Sequence, residues 1–330
     1  MAGLCQRVAA ACKAGTGIPL ARWRVVLLVC AAGAARAACP GPAVNFETLA
    51  PGVWLVRAAP GDADASNRGF VANLLAVREG PRLWLLGSGP SPAFGRGLAC
   101  RLRAVAGVPV SDVINPWPHP ELVLGNAGFP GARRWAHADV AATMRMRCPR
   151  CEAALRERLA GAAVDLGPAP IVLPDRLLHG ESGRLGPWRW WRLQRAADTP
   201  VTLWRLAAAP LWSAPGLLWA DAAPDLREAE LAAMQRSTAA LQQLAAADGG
   251  RARWVPEQGP VQDAGSPARH AAYWDALAAA IGAALERGGL EVDVAATLPG
   301  VPDSITRDPR HALNWQRGWR ELERRWMEGK

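Results

Sequence analysis

The chain has 330 residues, half of them hydrophobic, and a formal net charge of +9. The length allows one large domain with appendages or two smaller ones, and the apolar share excludes a disordered or collagen-like chain. The charge does not point to nucleic acid: residues 1–37 carry Arg7, Lys13, Arg22, Arg24, Arg36 and no acid, which leaves 33 basic against 29 acidic residues, near +4, with the signs interspersed and no basic stripe between aromatics.

Residues 1–37 read as an export signal. Arg22 and Arg24 form its positive flank, 25–35 is an apolar run too short to span a bilayer, and Ala35-Arg36-Ala37 is a small-x-small cleavage site. The remainder is therefore expected in the periplasm or outside the cell, with no membrane span. Of the 7 cysteines, Cys39, Cys100, Cys148 and Cys151 follow the signal, enough for two disulfides in an oxidising compartment. Cys148 and Cys151 have the spacing of a redox dithiol ahead of an expected helix. We read them as a local structural disulfide, with thiol–disulfide chemistry as the alternative, because no thioredoxin-like strand–turn–helix precedes them.

Residues 46–56 predict two strands about Pro51-Gly52, and 70–77 with 83–86 a second hairpin about Glu79-Gly80-Pro81. Ser91-Pro92 opens a helix, Ser as cap and Pro in first place, with Leu98, Leu102 and Val105 on one face. A short strand at 110–114 runs into Asn115-Pro116-Trp117-Pro118-His119-Pro120-Glu121, a loop because three prolines oppose regular structure. A strand at 134–136 and a helix at 151–159 follow. The second half predicts strands at 188–193, 201–206 and 217–219, a helix over 225–247, a strand at 253–255 and a helix from Ser266-Pro267. Trp188, Trp190 and Trp191 fit a sheet core better than a ligand platform. Residues 288–306 read as a linker. Asp308-Pro309 begins a last helix whose stripe of Trp315, Trp319, Leu322 and Trp326 is read as core, with a partner-binding face as the alternative. Strands then a helix, twice over, suggest two sheet-and-helix halves packed together.

The segment from Val113-Ile114-Asn115 through Trp117, His119, Glu121 and Leu122 to Gly125-Asn126 resembles the metallo-β-lactamase superfamily, where a strand leads into Thr-His-x-His-x-Asp-His and a Gly-Asn step. Upstream, Leu85-Leu86-Gly87-Ser88-Gly89 is similar to that superfamily's Asp-Thr-Gly step. Downstream, Val255-Pro256-Glu257-Gln258-Gly259-Pro260 is similar to its Pro-Gly-His-Gly-Pro step. The resemblance covers about 44–281 and is nearest to the periplasmic zinc-hydrolase-like proteins of quinoprotein (PQQ) dehydrogenase systems, to which Asn314-Trp315-Gln316-Arg317 adds support. It implies an α/β (α+β) αββα sandwich at 38–287, followed by a linker and C-terminal helix at 288–330.

The resemblance also implies a zinc site, residue by residue. The first family histidine falls on Trp117, the second on His119, the aspartate on Glu121 and the third histidine on Leu122. The next histidine falls on Ala196, with Asp198 nearby; the metal-bridging aspartate falls on Asp221, the last histidine on Gln258, and the supporting aspartate on Gly87. Indole N–H has no free lone pair for a cation, and Leu and Ala offer no donor at all. Zinc needs three or four converging donors. The expectation is therefore an exported protein without zinc, binding a small molecule or protein and linked to a quinoprotein dehydrogenase system. The alternative is an active zinc hydrolase with an irregular site of His119, Glu121 and Asp221. Residue by residue, bland roles compete: His119 packed on Trp117, Glu121 solvated, Asp221 capping a turn, and His137 lining the cleft or paired with Asp139.

Overall fold

Alternation along the strands sets the layers. In β3 (Leu74–Glu79), Leu75 and Val77 turn to one side and meet Trp84, Leu86, Trp188, Trp190 and Trp204. Leu74 and Ala76 turn to the other and pack with Leu98 and Leu102 of α1 (Pro92–Ala106). This is the period-two pattern of a strand buried on both faces. The computed structural model describes residues 39–328, so the expected signal at 1–37 lies outside the described residues.

The first sheet runs in the order β1 (Asn45–Ala50), β2 (Val53–Arg57), β3, β4 (Arg82–Leu86), β5 (Asp112–Ile114), β6 (Arg133–His137), β7 (Arg176–Leu178). Hairpins make it antiparallel as far as β4; crossovers make it parallel from β4 to β7. The second sheet is built from β8 (Ser182–Leu185), β9 (Trp188–Ala196), β10 (Thr199–Leu206), β11 (Leu211–Ala214) and β12 (Arg253–Pro256). Its order is β12-β11-β10-β9-β8, antiparallel except for the β11–β12 pair. Helices cover the outer faces: α1 and α3 (Ala138–Leu159) pack on the first half, α4 (Leu231–Ala245) and α5 (Ser266–Glu286) on the second. This is the expected αββα sandwich, and Trp188 and Trp190 are sheet core.

A C-terminal helical region completes it. The segment read as a linker contains a short helix, α6 (Asp303–Thr306), before α7 (Pro309–Glu328). Trp315 and Trp319 are buried in the core, while Trp326 is 36% exposed. Asn314 reaches across to accept from the Leu226 N–H at 2.9 Å and to donate to the Pro224 carbonyl at 2.6 Å. The Glu321 carboxylate accepts from the Leu231 and Ala232 N–H groups, so a side chain of α7 caps the open N-terminus of α4.

Five local expectations are corrected. The helix expected at 151–159 begins at Ala138 and runs through Pro149, so Cys148 and Cys151 sit in its middle and not ahead of it. They are free thiols, and the disulfide of the structure joins Cys39 to Cys100, with Cα atoms 5.6 Å apart. Residues three apart on a helix keep their Cβ atoms about 5–6 Å apart, whereas a disulfide needs about 3.5–4.5 Å. Residues 217–219 are not a strand: β11 ends in a turn at 215–217, where Leu217 and Leu218 both donate to the Ala214 carbonyl, and 218–219 are irregular. The helix expected from 225 starts at Leu231, because the chain before it is bent around Arg195, as described below. The proline-rich loop does contain one helical turn, α2 (Pro120–Val123): proline in first place forfeits no intrahelical bond.

Candidate functional site

The loop after β5 is fixed from below. Asn115 and Asn126 exchange side-chain hydrogen bonds at 2.8 and 3.0 Å, both wholly buried. Leu122 is 1% exposed and belongs to the core. It lies against Gly87, where a Cβ would come within 2.8 Å of Leu122 Cδ2 and 2.6 Å of Leu74 Cδ2. A side chain at position 87 would have to displace both Leu74 and Leu122, at a backbone φ of +77° that favours glycine.

Above this floor opens a cleft of about 320 Å³. Trp117 forms its back wall, 2% exposed, with the His119 ring stacked on it at 4.4 Å and 15° between planes. The Arg195 guanidinium lies 4.5 Å from the Trp117 ring centre and 5.5 Å from that of Trp219. Arg195 is 1% exposed. It donates to the carbonyls of Gly216, Asp225 (2.9 Å) and Arg227 (2.7 Å), so the 216–227 segment is wrapped around a buried cation. Gly216 allows the close approach: a Cβ there would stand 3.1 Å from Trp117 and 3.3 Å from Arg195 Cδ, at a backbone φ of +76°. Burial pulls the Arg195 pKa below its ordinary value, opposed by the carboxylates of Asp225, Glu257 and Glu228.

The rest of the wall is paired charge. His119 Nδ1 stands 2.9 Å from Glu121 Oε2, and Arg158 stands 3.3 Å from the other Glu121 oxygen. Burial alone would lower the His119 pKa, but the Glu121 carboxylate, helped by Glu257 and Glu228, holds it up at about 9, so the imidazole is protonated at neutral pH. Burial works against charge on Glu121, yet His119 and Arg158 keep its carboxyl below the usual range. Glu257 accepts from the Gly216 N–H at 2.6 Å. Gln258 uses both ends of its amide, donating to the Gly61 carbonyl at 3.0 Å and accepting from Arg310 of α7 at 2.9 Å. Asp225 and Asp62 pair with Arg227.

The structure thus brings together Trp117, His119, Glu121 and Gln258, and it separates the others. Asp221, at φ +59°, lines a different cavity with His270 and Tyr273. Ala196 ends β9 on the wall of a third cavity, and Asp198 pairs with Arg147 at the surface; it is Arg195, one residue earlier, that enters the cleft. His137 caps α3, accepting from the Asp139 N–H at 3.2 Å, and does not line the cleft. Cys148 is buried, and burial pushes its thiol up to about 12; burial likewise raises Cys151 to about 11. Neither thiol has the depressed pKa of a redox nucleophile, because neither sits at a helix N-terminus. Sequence reasoning missed Arg195, Arg158, Asp225, Arg227, Asp62, Glu228 and Glu257 as cleft residues. The one usable signal was Glu257, inside the downstream motif.

These donors do not fit zinc. His119 is turned to Glu121, Gln258 is held at both ends of its amide by Gly61 and Arg310, Asp221 is elsewhere, and among the described residues no group of three or more His, Cys, Asp or Glu is placed to hold a metal ion.

No protein-family model matches the sequence, and no curated protein matches it. Solved structures do match, metallo-β-lactamases among them. FIM-1 from Pseudomonas aeruginosa, in its mono-zinc form, superposes with a TM-score of 0.56 at 16% identity, over 72% of this chain and 96% of its own. The enzyme from Erythrobacter litoralis, with β-mercaptoethanol in its active site, gives 0.54 at 17% identity, over 70% and 96%. That from Hirschia baltica gives 0.53 at 13%, over 70% and 97%. The chain has the metallo-β-lactamase fold; identities this low speak to the fold alone.

Proposed function

We propose that this is an exported binding or accessory protein on a metallo-β-lactamase fold, one that has exchanged zinc-dependent hydrolysis for a metal-free cleft. The observation that carries the reading is the buried Arg195 guanidinium stacked against Trp117 in a pocket of carboxylates. A fixed internal cation balances Glu257, Asp225 and Glu228, the task a metal would otherwise perform. Unlike a metal, guanidinium cannot bind a water and lower its pKa to about 7, so the hydrolytic nucleophile has no source.

In the same proposal residues 1–37 are a cleaved export signal, and the protein works in the periplasm or outside the cell. No helix among the described residues is long and apolar enough to cross a membrane. A quinoprotein dehydrogenase system is the partner implied by the resemblance over about 44–281, to which 314–317 adds support. Elemental analysis of the purified mature protein tests the central claim. We expect zinc far below one ion per chain and no hydrolysis that responds to His119. About two zinc ions per chain, with hydrolysis lost in His119→Ala, would overturn it.

A further inference from the structure

Cys148 and Cys151 belong neither to the cleft nor to the Cys39–Cys100 disulfide. They stand at i and i+3 on α3, close enough that charge on Cys151 acts on Cys148. Cys148 is fully buried; Cys151 is half-buried on the wall of an open cavity of about 560 Å³, beside Met146, Arg147 and Arg150. Met144, 1% exposed, lies one turn before Cys148 on the same face. Arg147 and Arg158 are near Cys151, as are Glu228 and Glu121.

We propose that Cys148 and Cys151 form a binding site for a soft, thiophilic cation, namely Cu(I), held between the two sulfurs. The argument is one of span and of ligand number. On an intact helix the two Cβ atoms are about 5–6 Å apart, too far for a disulfide, which wants about 3.5–4.5 Å. A sulfur–metal–sulfur bridge is longer: two bonds of about 2.3 Å set the sulfurs as much as ~4.6 Å apart. The same helix that keeps the pair from oxidising leaves room for an ion. That ion must accept few ligands, since no group of three or more His, Cys, Asp or Glu converges among the described residues, which disfavours four-coordinate zinc. Thiolate donors select Cu(I). On binding, each thiol releases its proton to solvent and gives its sulfur lone pair to the metal: one Cu(I) and two thiols yield one bis-thiolate complex and two protons, with no change of oxidation state. The complex carries one negative charge, which Arg147 and Arg158 offset against Glu228 and Glu121.

The test is anaerobic titration of the whole mature protein with Cu(I), in competition with the chromophoric chelator bathocuproine disulfonate. One Cu(I) per chain is expected. Cys148→Ser and Cys151→Ser should each weaken binding by more than the ~10–100-fold that loss of a group outside the coordination shell costs. Cys151→Ser changes a half-buried residue and guards against a folding failure in Cys148→Ser; circular dichroism of both checks α3. Asp221→Asn, in a cavity apart from both the cleft and α3, should bind as the parent does, a control for non-specific loss. Parent affinity in both cysteine variants, or no binding in the parent, would overturn the proposal. So would ready formation of a 148–151 disulfide with α3 intact, since that bond is argued to be out of reach.

Discussion

Replacing Arg195 by Met removes the buried charge of the cleft and keeps much of the side-chain volume. Three carbonyls, those of Gly216, Asp225 and Arg227, lose their donor. Each such bond from a charged donor contributes about 1.5–3 kcal/mol, and the contact with the Trp117 ring about 0.5–2 kcal/mol. In return the variant escapes the desolvation of a guanidinium, several kcal/mol. The three carbonyls stay buried without a donor and Glu257 loses one of its neighbouring cations, while Asp225 keeps Arg227, so the losses prevail. The expected net destabilisation is about 3–5 kcal/mol, which for a folded unit of this size lowers Tm by roughly 5–8 °C. Urea unfolding followed by tryptophan fluorescence, with calorimetry alongside, reads both quantities. Arg195→Lys should fall between the two, because it keeps the charge and loses the planar fork. An Arg195→Met protein with the parental urea midpoint, or a higher one, would refute the view that this cation holds the cleft together.

The His119 imidazole has a folded pKa near 9 against an ordinary 6.5. Its contribution is therefore fully present below pH 6.5 and is lost as pH rises through 9, up to about 3 kcal/mol. The urea midpoint should fall over that window, and His119→Gln should flatten the fall. The Cys39–Cys100 bond closes a sequence separation of 61 residues. Cys39→Ser with Cys100→Ser should cost about 4 kcal/mol by loop-closure entropy, seen as an unfolding midpoint that no longer responds to reductant.

Much of the fold could be read from local chemistry. The turns at Pro51-Gly52 and Gly80-Pro81 and the cap at Ser91, whose hydroxyl accepts from the Phe94 N–H at 3.1 Å, act within a few residues, and sequence shows such interactions directly. The cleft was half legible. Trp117, His119, Glu121 and Gln258 lie in recognisable frames and do meet. Arg195 carries no such mark: nothing local tells that the chain twenty to thirty residues on will fold its carbonyls around that strand end. The same wrapping delays the start of α4 and moves Asp221 to another cavity, so the misplaced helix boundary and the misplaced carboxylate share one cause. Disulfide pairing failed for another reason. Four cysteines allow three connectivities, and the nearest pair in sequence was ruled out by a helix whose start was misjudged.

The tie between Glu321 and the head of α4 gives the order of synthesis a meaning. Leu231 leaves the ribosome ninety residues before the carboxylate that satisfies its amide, and Gln258 waits some fifty for Arg310. Until the closing helix emerges, the second half of the sandwich has bare amides at one end and an unbraced cleft wall. The last stretch of the chain thus acts as a latch on the nascent protein, and a ribosome stalled before it would present a form still open at the pocket.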